Sequence, residues 1–319
     1  MPIFEMPLAE LRTYTGRSPK PADFDEFWSR ALKELASTDL QIELKPAQFT
    51  ADFAECFDLY FSGVGGARIH AMYLRPKTIK GALPAVLRFH GYNSNSGDWY
   101  DKLGYVASGY AYAAMDCRGQ GGSSEDVSRV TGSTLHGHII RGLQDGPDHL
   151  LFRQVYLDTV QLARVVMSFD EVDSSRIGVT GGSQGGGLSL ACAALEPSVK
   201  MLAPVYPFLC DFRRVWEMDL AKAAYEELTT YFRQFDPLHL REEDTFTRLG
   251  YIDVQHLADR IKGHVLFITG LMDTVCPPST QFAAYNKIRS PKEMLIYPDY
   301  GHETLPGSAD KIYQFFKDL

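Results

Sequence analysis

One serine stands in a run of glycines, with Gly181 and Gly182 before it and Gly185, Gly186 and Gly187 just after Gln184. A serine hydroxyl is a poor nucleophile at neutral pH, so a catalytic one needs a neighbouring base and must stand clear of its own backbone. A tight turn from strand to helix gives that exposure, and it tolerates only small neighbours. Gly181-Gly182-Ser183-Gln184-Gly185 fits G-x-S-x-G, with the apolar run RIGVT before it and a small-residue helix after it. A glycine-rich phosphate loop is the competing reading. It fails because G-x-x-x-x-G-K-[ST] is absent and Ser183 occupies the place of the second glycine of G-x-G-x-x-G.

Such a serine calls for an acid and then a histidine later in the chain, each just past a strand of the same sheet. HVLFITGLMDTVCPP places Asp273 beyond an apolar strand, in a loop ended by Pro277 and Pro278, and EMLIYPDYGHETLP places His302 beyond the next strand. Asp299 is the rival acid, but it shares a loop with His302 and reads as a loop-structuring residue. His264 precedes its strand and so falls at the opposite sheet edge, while His239 and His256 belong to an aromatic insertion. His136 and His138, in LHGHII, have no partner set for a metal. A tetrahedral intermediate further needs two amide donors. In this arrangement they are the Gln184 amide, next to the nucleophile, and the Tyr92 amide in FHGYNSNSGDW, with His90 as a structural residue rather than a base.

The elements that must position these residues follow from hydrophobic periodicity. Short apolar runs, each ending in glycine and separated by helical stretches, give the rhythm of a mostly parallel sheet flanked by helices. The fold class is therefore α/β, and the G-x-S-x-G turn at Ser183 makes it one of the α/β-hydrolase type, with residues 1–319 read as one domain. Strands are expected at RIGVT, 200–206, 264–270 and 293–298, with helices at 151–169 and about 308–318. An N-terminal helix over about 23–36 opens with Asp23 as cap and Glu26 three residues later. The segment 54–75 alternates around GVGG and reads as an antiparallel hairpin forming the edge of the sheet. Between about 207 and 260 the rhythm gives way to an aromatic-rich helical insertion, either a cap over a pocket or an oligomer contact, or else an extra helical layer packed on the core.

The 319 residues carry 32 basic and 40 acidic side chains, a net charge of −8, and no basic cluster that would track phosphates, which argues against nucleic acid as a partner. The 5 cysteines are widely spaced and form no CxxC pair, as expected of reduced thiols. The opening MPIFEMPLAELRTYTG lacks the basic and apolar regions of a signal peptide, and no later segment approaches a membrane span, so a cytoplasmic protein with no membrane partner is expected.

Several motifs together carry a family likeness. KPADFDEFW near the start, HGYN at 90–93, RGQGGSS at 118–124, GGSQGG at 181–186 and HE at 302–303 resemble the cephalosporin C deacetylase and acetyl xylan esterase family of carbohydrate esterases. The likeness extends over almost the whole chain. It implies a serine esterase that removes acetyl groups from small esters such as acetylated xylo-oligosaccharides and cephalosporin C, needing no metal or organic cofactor and assembling as a homo-hexamer around an internal cavity. Arg118 and Gln120 are its signature residues. Arg118 either supports the loop beside the nucleophile or pairs with a buried carboxylate, Asp116 or another acid nearby. Glu303 reads as a supporting or surface residue. Two other readings share the fold: a peptidase of the prolyl oligopeptidase type, and a non-catalytic homologue, which would be expected to lack one of Ser183, Asp273 and His302.

Overall fold

A computed structural model describes residues 5–78, 80–132 and 137–319. The chain enters through a short helix α1 (Leu8–Leu11) and α2 (Phe24–Ala36), which buries Phe24, Phe27, Trp28, Ala31 and Leu35 on one face. Three antiparallel strands follow, β1 (Glu43–Pro46), β2 (Ala54–Ser62) and β3 (Arg68–Pro76). The parallel part then builds up as β4 (Leu83–Phe89), α3 (Leu103–Ala107), β5 (Ala111–Met115), α4 (Leu151–Met167), β6 (Val172–Gly182), α5 (Gln184–Leu195) and β7 (Met201–Val205). Helices α6 (Phe212–Glu217), α7 (Glu226–Phe235) and α8 (Glu242–Leu249) interrupt the alternation before β8 (His264–Gly270), α9 (Pro278–Lys287), β9 (Lys292–Tyr297) and α10 (Ser308–Phe316) complete it.

All 9 strands join one sheet in the order β1-β2-β3-β5-β4-β6-β7-β8-β9, antiparallel as far as the β3–β5 pair and parallel from β5 to β9. Strands such as β5 and β7 are buried at every position because helices cover both faces, which is why they read in sequence as unbroken apolar runs. One face packs α2, α4, α5 and the insertion into a single core, and the other packs α3 and α10. Helix α5 is buried along its whole length, wedged between β6, β7 and α4. No helix among the described residues is long and apolar enough to cross a membrane.

Two expectations are corrected. The hairpin is present, with Ser62 opposite Arg68, but β1 lies outside it and forms the sheet edge. Asp23 does occupy the cap position of α2, yet its carboxylate accepts from the Tyr251 hydroxyl rather than from the helix amides. Pro277 and Pro278 not only end the Asp273 loop but start α9, since a first-turn proline gives up no helical hydrogen bond. The insertion aromatics Phe208, Phe212, Tyr225, Phe232 and Phe246 belong to the same buried cluster as the sheet, which is the extra-layer arrangement.

Candidate active site

Strand β6 ends at Gly182 and α5 begins at Gln184, so Ser183 makes the whole turn by itself, at φ 57° and ψ −120°. A side chain in that region is strained, and the neighbours show what holds it there. The Ser183 amide donates to the Val205 carbonyl at 2.9 Å, and its own carbonyl accepts from Gly187 at 3.1 Å and Phe208 at 2.9 Å. A Cβ on Gly185 would run into the Phe89 carbonyl, so the glycine is required by close approach of the β4 end.

The turn aims Ser183 Oγ at His302 Nε2, 3.0 Å away, and His302 Nδ1 lies 2.8 Å from Asp273 Oδ2. Asp273 is fully buried, and its second oxygen accepts from the Val275 and Cys276 amides, both at 2.8 Å. A carboxylate so held can only accept from the imidazole. It therefore fixes the proton on Nδ1 and leaves Nε2 free to take the serine proton. The Tyr206 ring, 4.6 Å from that of His302, packs against the imidazole.

Asp273, Cys276 and His302 bring ligand-type atoms within 4.8 Å of one another, the one such grouping among the described residues. It fits a metal poorly. Asp273 and His302 are spent on the hydrogen bonds just given, while burial pushes the Cys276 thiol well up and keeps it protonated beside Ser183.

The loop after β4 comes to the same place. His90 Nε2 accepts from the Cys117 amide at 2.9 Å, so Nδ1 carries the proton and donates to Gly91 O at 2.7 Å. Burial lowers the His90 pKa, in keeping with a neutral structural ring. Gln120 and Gln184 exchange two side-chain hydrogen bonds, at 2.9 and 3.1 Å, and Gln120 Oε1 also accepts from the Asn93 amide at 3.1 Å. One carboxamide thus ties the loop carrying Tyr92 to the residue after the serine. Among the described residues no acceptor takes the Tyr92 or Gln184 amide.

Ser183 and His302 open on a cavity of about 320 Å³ that Arg88, Asn95, Ser96, Asp101 and Tyr206 help to line. It shares Arg88, Asp101, Gly182 and Tyr206 with a second hollow of about 350 Å³ faced by Tyr105, Tyr112 and Tyr313. No insertion residue from 207 to 260 lines either, so the insertion is not a cap over this pocket. A larger groove of about 840 Å³ between the insertion helices, lined by Trp216, Glu217, Lys222 and Glu226, holds no nucleophile with a base.

The family model for acetyl xylan esterase (AXE1) matches residues 1–319. The chain belongs to the acetyl xylan esterase family. Its structure is similar to that of acetyl xylan esterase 1 from Thermoanaerobacterium sp. JW/SL YS485, with a TM-score of 0.97 and 62% identity over 98% of this chain and 99% of that one. The acetyl xylan esterase from Paenibacillus sp. R4 superposes with a TM-score of 0.94 at 39% identity, covering 98% of this chain and 100% of that one. A curated relative, the acetyl esterase Axe7A of Xylanibacter ruminicola, is 29% identical over 92% of this chain, and the chain spans 65% of that protein's length.

In this member of the acetyl xylan esterase family, Arg118 is a buried brace, and its partner is Asp158 of α4 rather than Asp116. The guanidinium grips Asp158 through two hydrogen bonds of 2.6 and 2.7 Å and donates to Val64 O at 3.2 Å. Asp116 is engaged elsewhere, with His70 at 2.7 Å and with the Ser96 and Ser123 amides. Asp299 is exposed and is not the acid on His302, and Glu303 accepts from the Gly301 amide at the surface. His138 Nε2 lies 2.6 Å from Asn93 Oδ1, whereas His136 falls outside the described residues. Sequence reasoning missed Tyr206, Cys276, Asp158 and Glu227. Of these only Cys276, three residues after Asp273, offered a local signal.

Proposed function

We propose that this chain is a serine carboxylesterase that removes acetyl groups from small esters, acetylated xylo-oligosaccharides and cephalosporin C among them, through an acetyl-enzyme. The observation that carries this reading is the unbroken hydrogen-bonded chain from Ser183 through His302 to buried Asp273, at the mouth of a cavity of about 320 Å³. The likeness to two acetyl xylan esterases over nearly the whole chain supports the acyl group.

In the reaction His302 Nε2 takes the hydroxyl proton as Ser183 Oγ attacks the acetyl carbonyl, and Asp273 stabilises the imidazolium that results. The Tyr92 and Gln184 amides receive the developing oxyanion, each contributing about 10²–10³ in rate, and the N-terminal end of α5 favours the same charge. His302 then protonates the departing sugar oxygen. Water, deprotonated by the same nitrogen, releases acetate from Ser183. Homo-hexameric assembly and a cytoplasmic location belong to this reading. All five cysteines are unpaired and buried, which fits a reducing compartment. Light scattering on the eluted protein tests the assembly, and a monomer would remove it.

Initial rates on p-nitrophenyl acetate, butyrate and octanoate, with acetate release from cephalosporin C and from acetylated xylo-oligosaccharides, test the chemistry. Ser183→Ala is expected to lose on the order of 10⁶ in kcat, and the wild-type rate is expected to fall steeply with acyl length. Activity surviving in Ser183→Ala overturns the assignment, and preference for the octanoate discards the acetyl specificity.

A further inference from the structure

Glu227 lies on the buried face of α7, beside Leu228 and Tyr231, and is 1% exposed. A carboxylate taken out of water without a cation is costly unless donors surround it. Here the donors come from two loops outside the insertion. The Tyr92 hydroxyl donates to one oxygen at 2.6 Å, and the Ile140 amide donates to the other at 2.9 Å. The His138 and Ile139 amides also point at the carboxylate. Gly137, at φ 125°, stands where a Cβ would strike that side chain, so the main chain of 137–140 wraps the carboxylate closely. Burial pushes the Glu227 pKa up to about 7 even though these hydrogen bonds pull it down.

The wrapped segment leads back to the Ser183 site. The His138 ring lies 4.9 Å from the Tyr92 ring, tilted 57° to it, and holds Asn93. The loop from His90 to Asn93 is thus fixed at its start by His90 on Gly91, across its tip by the Ser94 amide on the Gly91 carbonyl, at its end by Gln120 and His138 on Asn93, and at the tip residue itself through the Tyr92 side chain. A tip held by its side chain presents its main-chain amide in one direction. Oxyanion donors need that, because their effect depends on orientation set before the reaction.

We propose that Glu227 is a positioning residue which, by gripping the Tyr92 hydroxyl and the 138–140 main chain together, aims the Tyr92 amide at the oxyanion. The inference rests on the reading of Tyr92 as an oxyanion donor. It gives the insertion a part in the chemistry although no insertion residue reaches the cavity.

The test is steady-state kinetics on p-nitrophenyl acetate with Glu227→Ala, Glu227→Gln, Tyr92→Phe and the Tyr92→Phe/Glu227→Ala pair. Because the lost interaction is made in the transition state, Glu227→Ala is expected to lose about tenfold or more in kcat with KM within about twofold. The double variant is expected to be no worse than Glu227→Ala alone. Glu227→Gln keeps a carbonyl for the amides and can donate to the Tyr92 oxygen, so it is expected to recover most of kcat. The proposal is overturned if folded Glu227→Ala keeps kcat within about twofold, if the loss falls in KM, or if the single losses multiply in the double variant. Should Glu227→Ala fail to fold, Tyr92→Phe decides, and an unchanged kcat there overturns the proposal. Ser183→Ala run alongside separates the outcomes, since its activity bears on the esterase reading and not on Glu227.

Discussion

Asp273 shows how much a single oxygen decides. One of its oxygens is satisfied by the Val275 and Cys276 amides, so only the other faces His302. In Asp273→Asn the amides would keep the carbonyl oxygen, turning the NH₂ toward Nδ1 and forcing the ring proton onto Nε2. Such a change is expected to cost about 10⁴ in kcat while leaving the thermal midpoint nearly unchanged. A loss below about tenfold would show that the imidazole does not depend on this carboxylate. Ser183, Asp273 and His302 were legible in the sequence because each follows a strand within a few residues, a local pattern. The partner of Arg118 was not, since Asp158 lies a helix away and nothing near Arg118 marks it. Glu227 was hidden for the same reason. Its partner Tyr92 is 135 positions distant, and a glutamate in the first turn of a helix normally signals exposure.

Between elements, a buried ion pair and a histidine held between two carboxylates fasten pieces that sequence alone could only list in order. Arg118, just past β5, is pinned to Asp158 of α4 with both side chains out of water. Asp158→Ala leaves that guanidinium uncompensated and is expected to cost about 3–5 kcal/mol in urea unfolding. His70 of β3 sits between Asp58 of β2, at 3.0 Å, and Asp116 after β5, at 2.7 Å. Burial opposes a charge on His70, but the hydrogen bonds it donates to Asp116 and Asp58 outweigh it and raise its pKa. Burial likewise opposes the Asp116 charge, and His70 with the Ser123 and Ser96 amides holds that carboxyl well below the usual range. A raised histidine stabilises fully below its unfolded value of about 6.5 and loses its effect as pH rises through the folded pKa. A lowered aspartate stabilises above about 3.9 and loses its effect as pH falls through the folded pKa. The stability gap between wild type and His70→Gln is therefore expected to be wider at about pH 5.5 than at about pH 9. Equal gaps would mean that His70 is not charged in the fold. Long apolar strands were readable, whereas β1, mostly polar and exposed, and α9, opened by two prolines, lacked the periodicity that reveals an element.

Across the whole molecule the N-terminal segment behaves as a strap. Buried Asp211, at the start of α6, accepts from the Tyr14 hydroxyl at 2.8 Å, the Arg17 amide at 2.9 Å and the Ser18 amide at 2.7 Å. Glu5 accepts from the Ser279 amide at the start of α9 and from Arg214 of α6. The strap thus ties α6 of the insertion to α9. Asp211→Ala would orphan its donors and is expected to lower unfolding stability by about 3 kcal/mol or more, read from the urea midpoint. A proteolytic nick before Ser18 should appear in that variant earlier than in wild type, and unchanged digestion would show that the strap stays seated without Asp211. Nearer Ser183, the clasp between Gln120 and Gln184 is made of two uncharged carboxamides. A neutral clasp is indifferent to ions that screen charge and to acid that removes it. In brine or weak acid the tie between the Tyr92 loop and the residue after Ser183 therefore stays closed.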